Sequence, residues 1–294
     1  MKEGPGKYID IRIDTDDPLV AMETAVFTHG LPEEESMKVM SGMMNSVKEN
    51  GATPCPIGML DGEIIVGMSP EELRILKSSN PVKLTSRDIP FSVAKKGSGG
   101  FTVSATLLVC GKLGIDVMVT GGIGGVHRFP KSGWDVSSDL MELSRNDVIV
   151  VCSGPKSVLD IDLTYEMLET FGIPVMVYGS DELPAFHLRK TGLRASNRFE
   201  SIDEIVESIS VMRYLNMRSS LLVLNPISRS SALKREYIDE LLDTMDRSKI
   251  PVGKEVTPYL LEEIANLSDG STIGANIELL IHNSRLAASI AMKM

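Results

Sequence analysis

Two uninterrupted apolar runs constrain this chain more than any other feature: Val117-Met118-Val119 and Val148-Ile149-Val150-Val151. Neither alternates with polar residues, so each reads as a strand covered on both faces, the habit of a parallel sheet. Each leads into a glycine-bearing turn. The first is followed by Thr120-Gly121-Gly122-Ile123-Gly124-Gly125-Val126-His127-Arg128, the second by Cys152-Ser153-Gly154-Pro155-Lys156. Further strands are predicted at Leu19–Met22, Val175–Tyr178 and Leu221–Leu224, and a hairpin over Ile57–Met68 with Asp61-Gly62 at its turn.

Helical patterns fall between the strands. In Glu33–Asn50, Met37, Met40, Met44 and Val47 recur at three and four, and Asn50-Gly51 is a stop. Ser69-Pro70-Glu71-Glu72 opens another helix, and Ser201 with Glu204 forms a capping box before a helix to Tyr214. Gly99–Leu113 reads as a loop and helix, and Ser157–Phe171 as a helix stopped by Gly172. Three more are predicted near Arg235–Met245, Pro258–Leu267 and Asn276–Met292. The alternation predicts an α/β fold, a three-layer α/β/α arrangement with a mostly parallel central sheet. No linker or repeat divides the 294 residues, so a single domain over 1–294 is expected.

Charge and cysteine usage exclude several classes. Forty acidic against thirty basic residues give a net charge of −10, the wrong sign for a general nucleic-acid binder. No apolar run is long enough to span a bilayer. Met1-Lys2-Glu3-Gly4-Pro5 has no apolar core of a secretory signal. Cys55, Cys110 and Cys152 are odd in number, far apart and set in apolar sequence, so buried free thiols are expected, and with them a reducing, cytoplasmic location.

Ligands of open α/β sheets bind at the carboxyl ends of strands. Lys156 follows a buried strand through a turn. Desolvation there would lower its pKa and favour the nucleophilic amine, or it could bind phosphate or pair with an acid. Glu23 ends the first strand, as a functional carboxyl, a helix cap or an ion-pair member. Asp135, Ser137 and Asp139 would share one face of an extended segment, suiting a hard hydrated cation or simple loop capping. Lys83 could meet a phosphate, and Gly97–Val103 could cradle it at a helix start. The Thr120–Gly125 loop could form a second nest of N–H groups. It fails as a dinucleotide fingerprint, because His127 stands where glycine is required. The four histidines show no metal spacing. His127 could hydrogen-bond a substrate, while His29, His187 and His282 read as structural. Asn276 could bind a ligand or start a helix.

The chain resembles the pseudouridine-5'-phosphate glycosidases, also called indigoidine-synthase-A-like proteins. The resemblance rests on Thr120–Arg128, on Asp135-Val136-Ser137-Ser138-Asp139-Leu140, and on Gly154-Pro155-Lys156-Ser157-Val158-Leu159-Asp160. It extends to Met22-Glu23-Thr24, Thr28-His29-Gly30-Leu31-Pro32, Lys83, Ser86–Pro90, Leu168–Gly172, Leu183–Phe186, Asn225-Pro226-Ile227 and Gly253-Lys254-Glu255. It implies reversible cleavage of the C-glycosidic bond of pseudouridine 5'-phosphate to uracil and ribose 5-phosphate. Lys156 is then the nucleophile that forms an iminium (Schiff base), and Glu23 the proton donor. Asp135 holds Mn²⁺ (or Mg²⁺) with mostly water around it. Lys83, Val103, His127, Ser137, Ser138, Asp139 and Asn276 contact substrate, with Asn276 at the base. The family pattern has a threonine where Phe101 stands, which removes one hydroxyl. A homotrimer is implied. A Schiff-base aldolase or isomerase of sugar phosphates would use the same lysine without a pyrimidine pocket. A sugar-phosphate sensor would not need Glu23. Pigment biosynthesis is another use within the family.

Overall fold

A computed structural model describes residues 7–30, 33–130, 134–268 and 270–294. Leu31 and Pro32 of the family-like segment, and the Met1–Pro5 start, lie outside them.

The strands in chain order are β1 Ile9–Ile11, β2 Leu19–Glu23, β3 Thr53–Leu60, β4 Glu63–Val66, β5 Val82–Leu84, β6 Gly99–Phe101 and β7 Val117–Val119. There follow β8 Val126–His127, β9 Ile149–Cys152, β10 Leu159–Asp160, β11 Val175–Tyr178, β12 Arg198–Phe199 and β13 Leu221–Leu224. The helices begin with α1 Ala25–His29, α2 Glu33–Glu49, α3 Pro70–Ser78, α4 Ile89–Ala94, α5 Val103–Leu113 and α6 Ser138–Leu143. They continue with α7 Ile161–Thr170, α8 Ile202–Tyr214, α9 Arg235–Thr244, α10 Val256–Leu267 and α11 Ser271–Ala291.

Eleven strands form one sheet in the order β1-β4-β3-β2-β7-β9-β13-β11-β12, with β6 on β3 and β5 on β6. From β3 through β2, β7, β9, β13 and β11 to β12 every neighbour is parallel. The two runs that opened the sequence reading, β7 and β9, lie side by side at its centre. Their alternate residues feed opposite layers. Val117, Val119, Ile149 and Val151 pack with α2, α8 and α11, while Met118, Val150 and Cys152 pack with α5, α6 and α7. This is a three-layer α/β/α fold with a mostly parallel sheet. A satellite core joins Ile238 and Leu242 of α9 and Leu260 and Ile264 of α10 to Val158, Leu159, Ala185 and Leu188.

Local chemistry explains most element ends. The β3–β4 hairpin turns at Asp61 and Gly62, with φ of 49° and 83°, the left-handed pair that a tight hairpin requires. The Ser69 and Ser201 capping boxes are both formed. Cys55, Cys110 and Cys152 are buried free thiols.

Three local expectations are corrected. Gly99–Phe101 is a strand, not a loop. A Cβ on Gly99 would lie 2.4 Å from Leu84 Cδ1 and one on Gly100 2.1 Å from Thr28 Oγ1, so these glycines let backbones approach. Helix α7 begins at Ile161 instead of Ser157, because Asp160 caps it by accepting from Leu163 N–H at 3.0 Å and Leu159–Asp160 pairs with Val126–His127. Asn276 starts no helix, since α11 begins five residues earlier, after Gly270.

Candidate active site

A cavity of about 610 Å³ lies at the carboxyl ends of β2, β7 and β9. Its walls include Glu23, Lys83, Val103, His127, Asp135, Ser137, Ser138, Asp139, Lys156 and Asn276. Every site residue expected from sequence therefore meets one space.

The register β2–β7 pairs Met22 with Val119, so the next residues, Glu23 and Thr120, leave the sheet as neighbours. Glu23 is only 4% exposed, and the Thr120 hydroxyl donates to its Oε1. Burial raises the Glu23 pKa above the usual carboxyl value, against the opposing charge of Lys156 and the Thr120 hydrogen bond. Neither a helix cap nor a direct ion pair accounts for this carboxyl among the described contacts. Lys156 follows Gly154, whose φ is 95°, and its N–H donates to Ile123 O at 3.0 Å. The side chain is half-buried at the cavity wall and not sealed in the core, because the turn carries it beyond the end of β9.

Lys83 projects from the short strand β5. Its Nζ donates to Lys254 O at 2.8 Å, and Lys254 Nζ donates back to Lys83 O at 2.8 Å. Burial, then the charge of Lys156, pushes the Lys83 ammonium down to about 8. A cation this poorly solvated is well placed to gain from an anion. His29, read from sequence as structural, lines the same space, and burial lowers its pKa.

The two expected backbone cradles are partly filled by the protein itself. At the start of α5, Ser104 N–H donates to Asp139 Oδ1 at 2.9 Å and Ala105 N–H reaches Thr102 Oγ1 at 3.5 Å. Among the described residues that leaves Val103 N–H as the donor at this helix start. The Phe101 ring is wholly buried in the core. In the glycine loop, Gly124 N–H donates to Asp139 Oδ2 at 2.8 Å and Ile123 N–H to Gly154 O at 3.1 Å. Gly122 is needed for packing, since a Cβ there would lie 2.7 Å from Phe186 Cδ2 and 2.8 Å from Gly154 O.

The acidic segment is likewise reshaped. Ser137 caps α6, accepting from Asp139 N–H, and Asp139 sits in the first helical turn with its carboxylate stapling two backbones. The shared extended face is lost because the helix begins within the motif. Asp135 is half-buried on the cavity wall, and no side-chain hydrogen bond engages its carboxylate among the described residues. His127 lies close to it: His127 N–H donates to Asp135 O at 2.9 Å, and Asp135 partly offsets the downward shift that burial imposes on the imidazole. Among the described residues His127 Nδ1 is buried without a partner, so a ligand could satisfy it. No group of three or more His, Cys, Asp or Glu able to hold a metal exists among the described residues. A lone available carboxylate suits a cation that keeps most of its water, such as Mn²⁺ or Mg²⁺, and does not suit a zinc cage.

Sequence reasoning missed a buried amide network behind the site. Asn283 Nδ2 donates to Thr120 O at 3.0 Å and to Ser153 Oγ at 3.1 Å, while Asn225 Nδ2 donates to Asn283 Oδ1 at 3.1 Å. It ties α11 to the ends of β7, β9 and β13. The signal was available: Asn276 and Asn283 lie seven apart, on a helix face otherwise apolar with Leu280 and Ala287. The turn Ala185–Leu188 was missed too. Phe186 adopts φ of 54° there and packs its ring 4.5 Å from that of His187.

Residues 9–293 match the family described as Indigoidine synthase A like protein. A protein of Thermotoga neapolitana named pseudouridine-5'-phosphate glycosidase is 41% identical over 286 residues, covering 97% of this chain and 99% of its own. Another so named, from Rhizobium johnstonii, is 41% identical over 279 residues, 94% of this chain and 90% of its own. The crystal structure of an indigoidine synthase A-like protein from Thermotoga maritima superposes with a TM-score of 0.93 at 39% identity, covering 97% of this chain and 96% of that one. A prealnumycin C-glycosynthase in complex with ribulose 5-phosphate gives 0.87 at 29% identity, covering 98% and 97%.

Proposed function

The chain belongs to the indigoidine synthase A-like family, and we propose that it is an enzyme that cleaves, and can re-form, the C-glycosidic bond of pseudouridine 5'-phosphate. The products are uracil and ribose 5-phosphate. The observation that carries this reading is the pairing in one cavity of a buried carboxyl of raised pKa, Glu23, with the amine of Lys156. A carbon leaving group must be protonated as its bond opens, and a carboxyl whose pKa is raised by burial suits that task.

Lys156 supplies its lone pair to the anomeric carbon. The electron pair of the carbon–carbon bond goes to the base carbon, which takes a proton from Glu23. The nitrogen, now an ammonium, gives one proton to the ring oxygen, and the lone pair so freed expels that oxygen as a hydroxyl, leaving an open-chain iminium on Lys156. Water hydrolyses the iminium, restoring the amine and releasing ribose 5-phosphate. Lys83 and the Val103 N–H receive the phosphate, and His127, Ser137 and Ser138 border the sugar. Asp139 acts by holding α5 and the glycine loop together. The cavity wall at Asn276 receives the base, a feature that an aldolase or isomerase of sugar phosphates would not need.

Asp135 would hold Mn²⁺ or Mg²⁺, which when bound supplies positive charge to substrate oxygens. Asp135→Ala should lose Mn²⁺ binding in a titration followed by electron paramagnetic resonance while staying folded. Unchanged Mn²⁺ affinity would remove Asp135 from the metal site. The enzyme acts as a homotrimer in a reducing, cytoplasmic setting. Its three buried thiols support that setting, and no helix among the described residues is long and apolar enough to cross a membrane.

The direct test is to incubate the protein with uracil, ribose 5-phosphate and Mn²⁺ and to look for pseudouridine 5'-phosphate. Its formation is expected. No product with Mn²⁺ or Mg²⁺ from folded protein would sink the reading.

A further inference from the structure

The wall of the cavity at Asn276 carries a relay that the bond-breaking chemistry does not use. Ser157 Oγ lies 3.0 Å from His187 Nδ1, and His187 Nε2 lies 2.7 Å from Asn276 Oδ1. Ser157 is fully buried and His187 is 1% exposed, while Asn276 reaches the cavity. We propose that Ser157 and His187 are positioning residues that lock the Asn276 amide with its oxygen inward and its NH₂ toward the cavity, so that this wall selects a ring carbonyl oxygen over an exocyclic amine. The proposal rests on reading the cavity as a pyrimidine C-nucleotide site and names what reads the base there.

The two ends of an amide are nearly the same shape, so an unrestrained asparagine can donate or accept by turning over. The structure places the amide oxygen of Asn276 against His187 Nε2. A carbonyl oxygen only accepts, so His187 Nε2 must carry a proton. Burial pushes the His187 imidazole down to about 4, so at neutral pH it carries one proton and Nδ1 is a lone pair. The Ser157 hydroxyl is then the donor to Nδ1. The chain runs Ser157 to His187 to Asn276, one donor and one acceptor at each link.

The backbone holds each member in place. His187 O accepts from Leu233 N–H at 2.8 Å, and Ala185 and Leu188 exchange two backbone hydrogen bonds of 2.8 Å. Phe186 is kept in the left-handed region, strained for an aromatic residue, by its N–H donating to Ser153 O at 2.7 Å. Its ring lies against that of His187 at 49°. Asn276 is fixed inside α11. An amine presented to the locked NH₂ would set donor against donor and leave both unpaired, the kind of mismatch that can discriminate by roughly 10⁴.

The test has two readouts. In ¹⁵N spectra of the histidine-labelled wild-type protein at neutral pH, His187 should be protonated at Nε2 and bare at Nδ1. In synthesis from ribose 5-phosphate, uracil should be strongly preferred over the better of its amino analogues, cytosine and isocytosine. Ser157→Ala and His187→Phe should raise the uracil KM and narrow that preference by about tenfold or more, leaving the ribose 5-phosphate KM within about twofold. A merely structural defect would move both KM values and kcat together. A wild-type His187 protonated at Nδ1, or an unchanged preference in folded Ser157→Ala, would overturn the relay. Absence of any C-nucleotide product with the Nε2–H form intact would count against the proposed reaction and leave the relay standing.

Discussion

Two sets of residues at the cavity, one charged and one neutral, are built by opposite rules. In the charged set Glu23, Lys83 and Lys156 share one space, and burial shifts Glu23 upward and Lys83 downward. In the neutral set Asn276, His187 and Ser157 satisfy one another with no charge. Groups held near a change of protonation suit bond making and breaking. Groups held far from one suit recognition that ignores pH. If that division is real, variants of the two sets should differ in size of effect, in the kinetic constant affected and in pH dependence.

The largest effect should come from Lys156. Lys156→Ala removes the only group assigned to covalent chemistry, and turnover should fall by roughly 10⁴ or more. Borohydride with ribose 5-phosphate should add a stable reduced sugar-phosphate mass that maps to Lys156. Full activity in Lys156→Ala, or an adduct on Lys83, would erase the mechanism assigned to the charged set.

Next should be Glu23→Gln, which keeps shape and removes the proton. Turnover should drop by roughly 10²–10⁴ while substrate still binds. Because the Glu23 pKa is raised, wild-type cleavage should decline as pH climbs through that value and the proton is lost. A Gln variant with near-normal kcat would move the acid to another group.

How much of this contrast the sequence reveals follows the same split. Strand-end position and residue type make Glu23 and Lys156 candidates, because position at the end of a buried strand is a local property, while their roles come from the family resemblance. The parallel order of β7 and β9 is equally local, written in unbroken apolar runs. The neutral set depends on contacts 30 and 89 residues apart in sequence, which no local pattern encodes. The glycines mislead for a related reason. Their spacing suggests phosphate nests, yet Gly99, Gly100 and Gly122 exist so that Leu84, Thr28 and Phe186 can come close. The Gly124 and Ile123 N–H groups of the loop go to Asp139 and Gly154, partners that only the folded register supplies.

A smaller effect should separate Lys83 from the catalytic pair. Lys83→Met should cost about 10–100-fold in kcat/KM for the phosphorylated substrate, the scale of one charge-assisted hydrogen bond. The ammonium is charged below about 8 and loses its proton above, so wild-type kcat/KM should fall through that region as pH rises. The methionine variant should lack that limb. Equal kcat/KM for pseudouridine and its phosphate in the wild type would remove Lys83 from phosphate recognition.

The smallest effect should be at Asn276, and its form matters more than its size. Asn276→Ala deletes the amide that faces the cavity and leaves the His187 Nε2–H donor toward the gap. The lost hydrogen bond to a neutral base carbonyl is worth about 1 kcal/mol, which is about fivefold in affinity, and the stranded donor can extend it to roughly tenfold. Nothing here titrates between pH 5 and 9: His187 is already neutral, and an amide has no proton to lose. The loss should therefore be constant across that range and confined to the KM for uracil, with the KM for ribose 5-phosphate unchanged. A pH-dependent loss, or one carried by kcat, would show that Asn276 helps to hold Glu23 or Lys156, and the two sets would then have to be treated as a single coupled unit.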